Sequence, residues 1–539
     1  MKFFRKVLKF ANLKQNRYPI LIWMLPVFTA FFLQMFSFGI NRILFKNVLE
    51  NSATAFVFVC FALIFKNKLS KVFQHILFYI FVFTNLFETI YLSIFKANIS
   101  ASSIFIILET NLAEATEFAE FYLNPTLIFT AFVFIIIAVF YAIKPGYFIL
   151  KSVFNYEQLI FVSCVVLTIF LMKNRDYLQF NFIYLSYQSV NEYFEEQEKM
   201  KDLHIDQPLV EIEGFEQIHD IDEATFVLII GESTTRNRMS LYDYQNKTTP
   251  YLDEIHANID KYDDVVSSHA FTIGALKDAL TLNGLKSSED FSIIQLLNQA
   301  GFKTFWLSNQ RPIGQYESLV TKLAMASDVY ITKNTALDGS ITPLDEVLIP
   351  EFEKAISDPA QKKFIILHPL GTHMKYSDRY PSGFEKFTGQ SSSNFDHNLA
   401  HSRSNAYDNA ILYHDFFIKN LHERLTKIKE ASFMLYFSDH GEEVYDTIDF
   451  AGHIDERATP SMYEIPFFLW RNQTFQNEFS LKINTNRPAS LKDFVHSLSD
   501  LIQVKFDGYD TTRSLFSDDF KIKDRIIGND INYDKDLKK

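Results

Sequence analysis

Three apolar runs of this chain end in residues able to hold a metal ion. Phe226-Val227-Leu228-Ile229-Ile230 runs into Gly231-Glu232-Ser233, and Phe364-Ile365-Ile366-Leu367 runs into His368 and then His373. The third, Phe433-Met434-Leu435-Tyr436-Phe437, empties into Ser438-Asp439-His440. Short apolar runs of this kind predict buried strands. In a parallel sheet their ends share one edge, where α/β proteins keep their chemistry. Carboxylate and imidazole are both ligands for a divalent ion such as zinc. Each residue alone has an ordinary explanation, since an Asp beside a His is commonly just hydrogen-bonded. Their coincidence at three strand ends points to one metal centre.

A metal centre needs a group to act with. Val265-Val266-Ser267-Ser268-His269-Ala270-Phe271-Thr272-Ile273-Gly274 precedes a helical stretch from Ala275 to Leu282. A hydroxyl at a helix start is ordinarily an N-cap, which is the plain reading of Thr272. The same position offers backbone N–H groups and the positive dipole end to a phosphate. Beside a metal ion, its hydroxyl would be a nucleophile at neutral pH.

Taken together, Gly231-Glu232-Ser233-Thr234, Phe271-Thr272, Gly371-Thr372-His373, Ser438-Asp439-His440-Gly441-Glu442 and Gly452-His453 resemble the phosphoethanolamine transferases of the alkaline phosphatase and sulfatase superfamily. The resemblance implies a zinc site made by Glu232, Thr272, Asp439 and His440, with Thr272 also the nucleophile that carries phosphoethanolamine. It places His373 and His453 near a second zinc or the substrate phosphate, as catalytic and substrate-binding residues. It also implies a lipid-substrate pocket that includes Thr110 and Glu114, the latter pairing with an ethanolamine ammonium. Ile106 stands where some relatives carry an Asn. The runs Arg236–Tyr242, Thr304–Gln310 (with Asn309 a further substrate-binding candidate) and Glu442–Thr447 are similar to the branch that modifies core heptose. The implied donor is phosphatidylethanolamine and the implied acceptor is lipopolysaccharide, on core heptose or alternatively lipid A. The lipid A branch usually carries several cysteine pairs in its soluble domain, and this chain has none there. A phosphoglycerol transferase shares the threonine and metal scheme. A sulfatase needs a Cys or Ser nucleophile in a Pro-Ser-Arg context, which Thr272-Ile273-Gly274 is not.

The elements that must position these residues begin with a membrane domain. Five apolar stretches, at about 19–40, 48–65, 75–95, 126–143 and 157–172, each approach the length of roughly 17–25 residues that spans a bilayer. The first lacks the small-residue cleavage pattern of a signal peptide. Lys2, Arg5, Lys6, Lys9, Lys14 and Arg17 precede the first span; Lys66, Lys68 and Lys71 follow the second, and Lys144 and Lys151 follow the fourth. The positive-inside rule makes those segments cytoplasmic, against a minor exception at Arg42 and Lys46. Five spans then deliver everything after Lys173 to the far side, the periplasm of a Gram-negative inner membrane. Apart from Glu88, the spans read as nearly free of polar groups, which argues against a transporter.

Charge divides at the same place. Residues 1–173 hold 15 Lys and Arg against 7 Asp and Glu, whereas the remainder holds 37 against 57. An acidic soluble part argues against nucleic acid as a partner. Both cysteines, Cys60 and Cys164, fall inside expected spans, so the exported part has no disulfide. The expected organisation is a transmembrane domain 1–173 with a substrate loop 96–125, a bridging segment 174–224 and a catalytic domain 225–539. Tyr177, Phe180, Phe182, Tyr184 and Tyr187 in the bridge suit a membrane interface. From 225 onward strands near 226–230, 303–307, 364–367 and 433–437 alternate with helices near 290–300, 345–356 and 405–428. Ile465–Trp470 adds a further strand. That order predicts an α/β domain, sulfatase-like, with a mostly parallel central sheet.

Overall fold

A computed structural model describes residues 16–538, apart from 101–102, 105–106, 108–109, 111, 149–156, 176, 179–180, 288, 312–318 and 335–341. Lys2, Arg5, Lys6, Lys9, Lys14, Ile106, Lys151 and Phe180 lie outside the described residues. The chain forms two compact units: Met1–Leu108 with Tyr122–Phe194, and Glu109–Phe121 with Glu195–Lys539.

The first unit is helical. Its helices are α1 (Arg17–Phe38), α2 (Arg42–Ile64) and α3 (Asn67–Phe95). Past α4 (Leu112–Tyr122) come α5 (Pro125–Ile143), α6 (Glu157–Asn174) and the start of α7 (Phe182–Asp202). Side-chain caps set two of the starts: Asn41 accepts from Leu44 N at 3.0 Å, and Asn124 accepts from Thr126 N and Leu127 N with Pro125 in the first turn. Among the described residues four helices are long and apolar enough to cross a membrane: those beginning at Arg17, Arg42, Asn67 and Pro125. The fifth expected span corresponds to a shorter apolar helix, Gln158–Asn174. Trp23, Phe78, Phe81, Phe134 and Tyr141 form the aromatic centre of the bundle.

Polar groups inside this unit correct the sequence reading. Asn47, Glu50, Asn51 and Thr54 on α2, and Gln74, Thr84, Asn85 and Thr89 on α3, are buried, and Glu88 beside them is half-buried. Glu50 accepts from Thr54 Oγ1 at 2.9 Å and from the Asn181 amide. Glu88 accepts from Asn51 Nδ2 at 3.0 Å and from Phe182 N at 3.3 Å. Polar residues facing a bundle interior satisfy one another there, which lipid cannot do for them.

The second unit is built on a seven-stranded mixed sheet: β1 (Ala224–Gly231), β2 (Ile259–Tyr262), β3 (Lys303–Ser308), β4 (Val329–Thr332), β5 (Lys362–His368), β6 (Ala431–Ser438) and β7 (Phe467–Arg471). Their spatial order is β2-β7-β6-β1-β5-β3-β4, with β7 antiparallel to both its neighbours and the other pairings parallel. Both faces are covered. Along β1, Phe226, Leu228 and Ile230 enter one core while Val227 and Ile229 enter the other. Burying each such side chain contributes about 1.5–3 kcal/mol relative to exposure. The sequence reading did not include β2 and β4, the two edge strands, whose Ile-Asp-Lys-Tyr and Val-Tyr-Ile-Thr sequences lack a buried strand's apolar run. The helices α8 (Thr272–Leu280), α9 (Ile293–Gln299), α10 (Ile349–Ile356) and α11 (Asn398–Leu425) fall close to their expected places.

Candidate active site

β6, β1 and β5 lie side by side in register, Gly231 opposite Ser438 and Ile229 opposite Leu367, so Glu232, His368 and Asp439 leave the sheet at one edge. There Glu232, Asp439 and His440 are 2%, 0% and 0% exposed. His440 Nε2 lies 3.5 Å from Glu232 Oε1 and 3.4 Å from Asp439 Oδ2. Local bonds aim each atom. Ser233 N and His440 N donate to Asp439 Oδ1 at 3.0 and 2.7 Å, which turns Oδ2 inward. His440 Nδ1 sits 2.9 Å from the Gly441 carbonyl, so Nδ1 carries the proton and Nε2 presents its lone pair.

Asp439 Oδ2 and His440 Nε2 have no hydrogen-bond partner, although both are buried. Burial, and next the charge of Asp439, pushes the Glu232 carboxyl well above the usual carboxylate range. Burial likewise lowers His440. Two acids and a neutral imidazole, closed off from water with acceptor atoms unmet, are costly on their own. A divalent cation relieves that cost, so these residues fit a metal ion. Among the described residues, one ligand group is Glu232, Asp439 and His440, and a second is His440, Glu442 and His453.

Thr272 is the first residue of α8, and its neighbour Phe271 occupies the cap position with extended backbone. The hydroxyl is therefore not an N-cap. It points to Glu232, 3.3 Å from Oε2 and 3.5 Å from Oε1. The segment before it is pinned by Asp455, whose Oδ1 accepts from Ala270 N at 2.8 Å and whose Oδ2 lies 3.0 Å from His269 Nδ1. Ser267 Oγ donates to the Asp439 carbonyl at 2.5 Å, tying the same segment to the ligand loop. On the other side Thr372 holds the Glu232 turn through Glu232 O and Ser233 O. Gly371 makes this approach possible: its φ is +56°, and a Cβ there would meet Glu232 O at 2.9 Å.

The histidines differ in setting. A short antiparallel pairing of Glu443–Val444 with Ala451–Gly452 brings His453 back to the site, its ring 4.1 Å from that of His440. His453 Nδ1 is 2.6 Å from Glu442 Oε2, and the Tyr376 hydroxyl donates to the other oxygen of Glu442. Burial works against the charged form of His453, but Glu442 outweighs it and raises the imidazole. His373 is pushed well below its usual value by burial, with the charges of Arg379, His453 and His440 adding to the effect. Its Nδ1 has no partner. His368 is buried against the Trp306 ring, which lowers it to about 4.

The remaining candidates are placed as follows. Asn309 is fully buried, its amide donating to Pro343 O and Asp345 Oδ1, both at 2.8 Å. Its neighbour Gln310 reaches the site instead, with Nε2 3.3 Å from Glu232 Oε2 and 3.0 Å from Pro369 O. Thr110 and Glu114 are half-buried on the segment Glu109–Phe121, which packs within the second unit. Asp455 and Tyr376 were not named from the sequence, and Gln310 and Glu442 appeared there only as members of motif runs with no role given. For Gln310 the signal was its place just past an apolar run. For Asp455 there was only its nearness to His453.

The family model described as Sulfatase matches residues 224–504. Phosphoethanolamine transferase EptC of Escherichia coli (strain K12) is 33% identical over 477 residues, covering 81% of each chain. The chain belongs to the phosphoethanolamine transferases of the sulfatase family. A crystal structure of the C-terminal periplasmic domain of the E. coli EptC, in complex with zinc, is 36% identical with a TM-score of 0.58, covering 61% of this chain and 97% of that one. The integral membrane lipooligosaccharide phosphoethanolamine transferase A from Neisseria meningitidis has the same fold, with a TM-score of 0.68 over 92% of this chain and 98% of that one at 18% identity. As a phosphoethanolamine transferase the chain pairs a helical part bearing four apolar candidate spans with a sulfatase-like α/β domain.

Proposed function

We propose that this transferase sits in a bacterial inner membrane, faces its catalytic domain to the periplasm, and moves phosphoethanolamine from phosphatidylethanolamine to lipopolysaccharide through an ester on Thr272. The observation that carries the reading is the Thr272 hydroxyl, freed from capping and aimed at Glu232 beside the unmet acceptors of Asp439 and His440. Glu232, Thr272, Asp439 and His440 would hold a zinc ion. Such an ion lowers the pKa of the Thr272 hydroxyl and neutralises charge on the phosphoryl group.

The chain's own residues supply the rest. Glu232 accepts from Thr272 Oγ1, orients it, and takes its proton. A bond forms between Oγ1 and the donor phosphorus while the bond from phosphorus to the diacylglycerol oxygen breaks. His453, held by Glu442, gives its proton to that leaving oxygen. Backbone N–H groups in the first turn of α8 and the unpartnered His373 Nδ1 serve the phosphoryl oxygens. In the second half, the acceptor hydroxyl loses its proton to His453 and attacks phosphorus, and Thr272 departs with the proton from Glu232. Thr110 and Glu114 contribute to donor binding, with the Glu114 carboxylate opposite the ammonium group.

Four apolar helices with Gln158–Asn174 as a fifth crossing would bring residues from 174 onward to the far side, with 174–224 as the bridge and 225–539 as the catalytic domain. Core heptose is the favoured acceptor, supported by the lack of any cysteine after Cys164. Mass spectrometry of lipopolysaccharide from cells with and without the protein tests this. Phosphoethanolamine gained on the core fragment is expected. A gain on lipid A would move the acceptor, and a gain on neither would overturn the reading.

A further inference from the structure

Helix α4 follows the membrane helix α3 in sequence, yet its packing belongs to the catalytic unit. Beside contacts to Thr342 and Arg403, it is anchored on the segment Leu370–Arg379 that carries His373. Glu117 Oε2 accepts from Arg379 Nη2 at 2.5 Å, and Thr342 donates to its other oxygen at 3.3 Å. Glu120 pairs with Lys375 Nζ at 2.7 Å. Phe121 packs its ring edge-on to Tyr376, with centroids 5.5 Å apart.

Arg379 is the informative partner. Its side chain is 2% exposed. From that position Nε donates to the carbonyls of His373 and Met374 at 3.2 and 3.3 Å, and Nη2 donates to Met374 O at 2.9 Å. One guanidinium thus binds two successive backbone carbonyls, those of His373 and Met374, while its charge is met by Glu117. A planar fork can do this, whereas a lysine ammonium cannot hold the same set. A buried guanidinium stripped of its carboxylate is driven to find water or another anion. It would then release the two carbonyls, and with them the backbone that orients His373.

We infer that Glu117 is a positioning residue for catalysis: through Arg379 it fixes the His373 backbone, so that docking of α4 on the catalytic unit sets the geometry of the transfer site. This rests on the reading of His373 given above, and it differs from a role in holding lipid. A lipid contact affects only the lipid donor. A positioning residue affects chemistry on every donor.

The test uses the full-length protein in detergent micelles, with phosphatidylethanolamine and with the ethanolamine p-nitrophenyl phosphodiester as donors. Glu117→Gln is expected to lower kcat on both donors by about tenfold, in line with the cost of a small misplacement. KM for the small diester should stay within about twofold. Amide exchange at Thr372–Met374 should quicken, while the rest of the domain keeps its protection. Arg379→Lys should reproduce the pattern, and Glu117→Asp should recover part of the lost rate. A normal kcat on the small diester, or a fall in kcat with unchanged exchange at Thr372–Met374, would overturn the inference. Failure of the wild-type protein to use either donor would instead sink the proposed function.

Discussion

Glu50 and Glu88 in the helical unit and Glu232 and Asp439 in the catalytic unit are both pairs of acids held inside protein, yet their surroundings differ in kind. Glu50 meets Thr54 and Asn181, and Glu88 meets Asn51 and the backbone of Phe182. Amide and hydroxyl donors answer these oxygens, so the pair ties α2 and α3 to the start of α7. At the strand edge the inward oxygen of Asp439 meets no donor and faces an imidazole lone pair at 3.4 Å, and Glu232, which accepts from Ser233, Thr272 and Gln310, faces the same lone pair at 3.5 Å. The first arrangement is complete as it stands. The second is incomplete until a cation arrives, and that difference separates polar glue from a site.

The largest expected effect breaks the site without touching the cation. Thr272→Ala should abolish transfer, read as loss of phosphoethanolamine from the acceptor and of any phosphothreonine ester by mass spectrometry. Thermal stability should change by much less than the ~1 kcal/mol that loss of a true N-cap costs, because Phe271 holds the cap position. Near-normal turnover would remove Thr272 from the mechanism.

Next come the ligands, where the comparison makes an opposite-sign prediction. In chelator, Glu232→Gln should leave the catalytic unit as stable as wild type or more so, since it discharges one of two buried, mutually repelling acids. With zinc present the order should reverse. A ligand at 100 to 1,000 times its Kd stabilises the wild type by about 2.7–4.1 kcal/mol, and the variant forgoes much of that. Glu232→Gln, Asp439→Asn and His440→Ala should each lower bound zinc in metal analysis. Unchanged zinc in all three would refute the ligand set.

How far this contrast was legible in the sequence depends on how local its causes are. Glu232, His373, Asp439 and His440 stood out as candidates because apolar strands announce their own ends. Thr272 was found as a helix start, but its freedom from capping follows from the Phe271 backbone, which no motif states. Asp455 and the Tyr376–Glu442 contact act across long stretches of chain and leave no spacing to read, whereas Gln310 sits just past the apolar run of β3, the same signal that marked Glu232. The edge strands β2 and β4 escaped because an exposed edge does not require apolar alternation. The polar seam was legible and was missed: Asn47, Glu50, Asn51 and Thr54 fall at i, i+3, i+4 and i+7, one helix face. Their polarity was hidden by the apolar average of the whole span.

The seam gives a smaller effect. Glu50→Ala should destabilise the full-length protein by about 1–3 kcal/mol, the cost of leaving the Asn181 and Thr54 donors unmet. Zinc content and kcat on a small diester should not change. A loss of zinc in this variant would show that the two carboxylate pairs are not independent.

Glu114 supplies the smallest effect and the sharpest division, because it belongs to neither pair. It lies in the first turn of α4, half-buried, on the segment that packs with the catalytic unit. If its carboxylate faces the ethanolamine ammonium, Glu114→Ala should raise KM for phosphatidylethanolamine while leaving the small diester, zinc content and folding alone. An exposed ion pair contributes only about 0–1 kcal/mol, so a loss within about fivefold corresponds to a contact open to water. A larger loss means that the ammonium is desolvated against the carboxylate, so that the acid is completed by its substrate as Glu232 and Asp439 would be by a metal. Equal effects on both donors would return Glu114 to the class of Glu50, an acid that holds structure together.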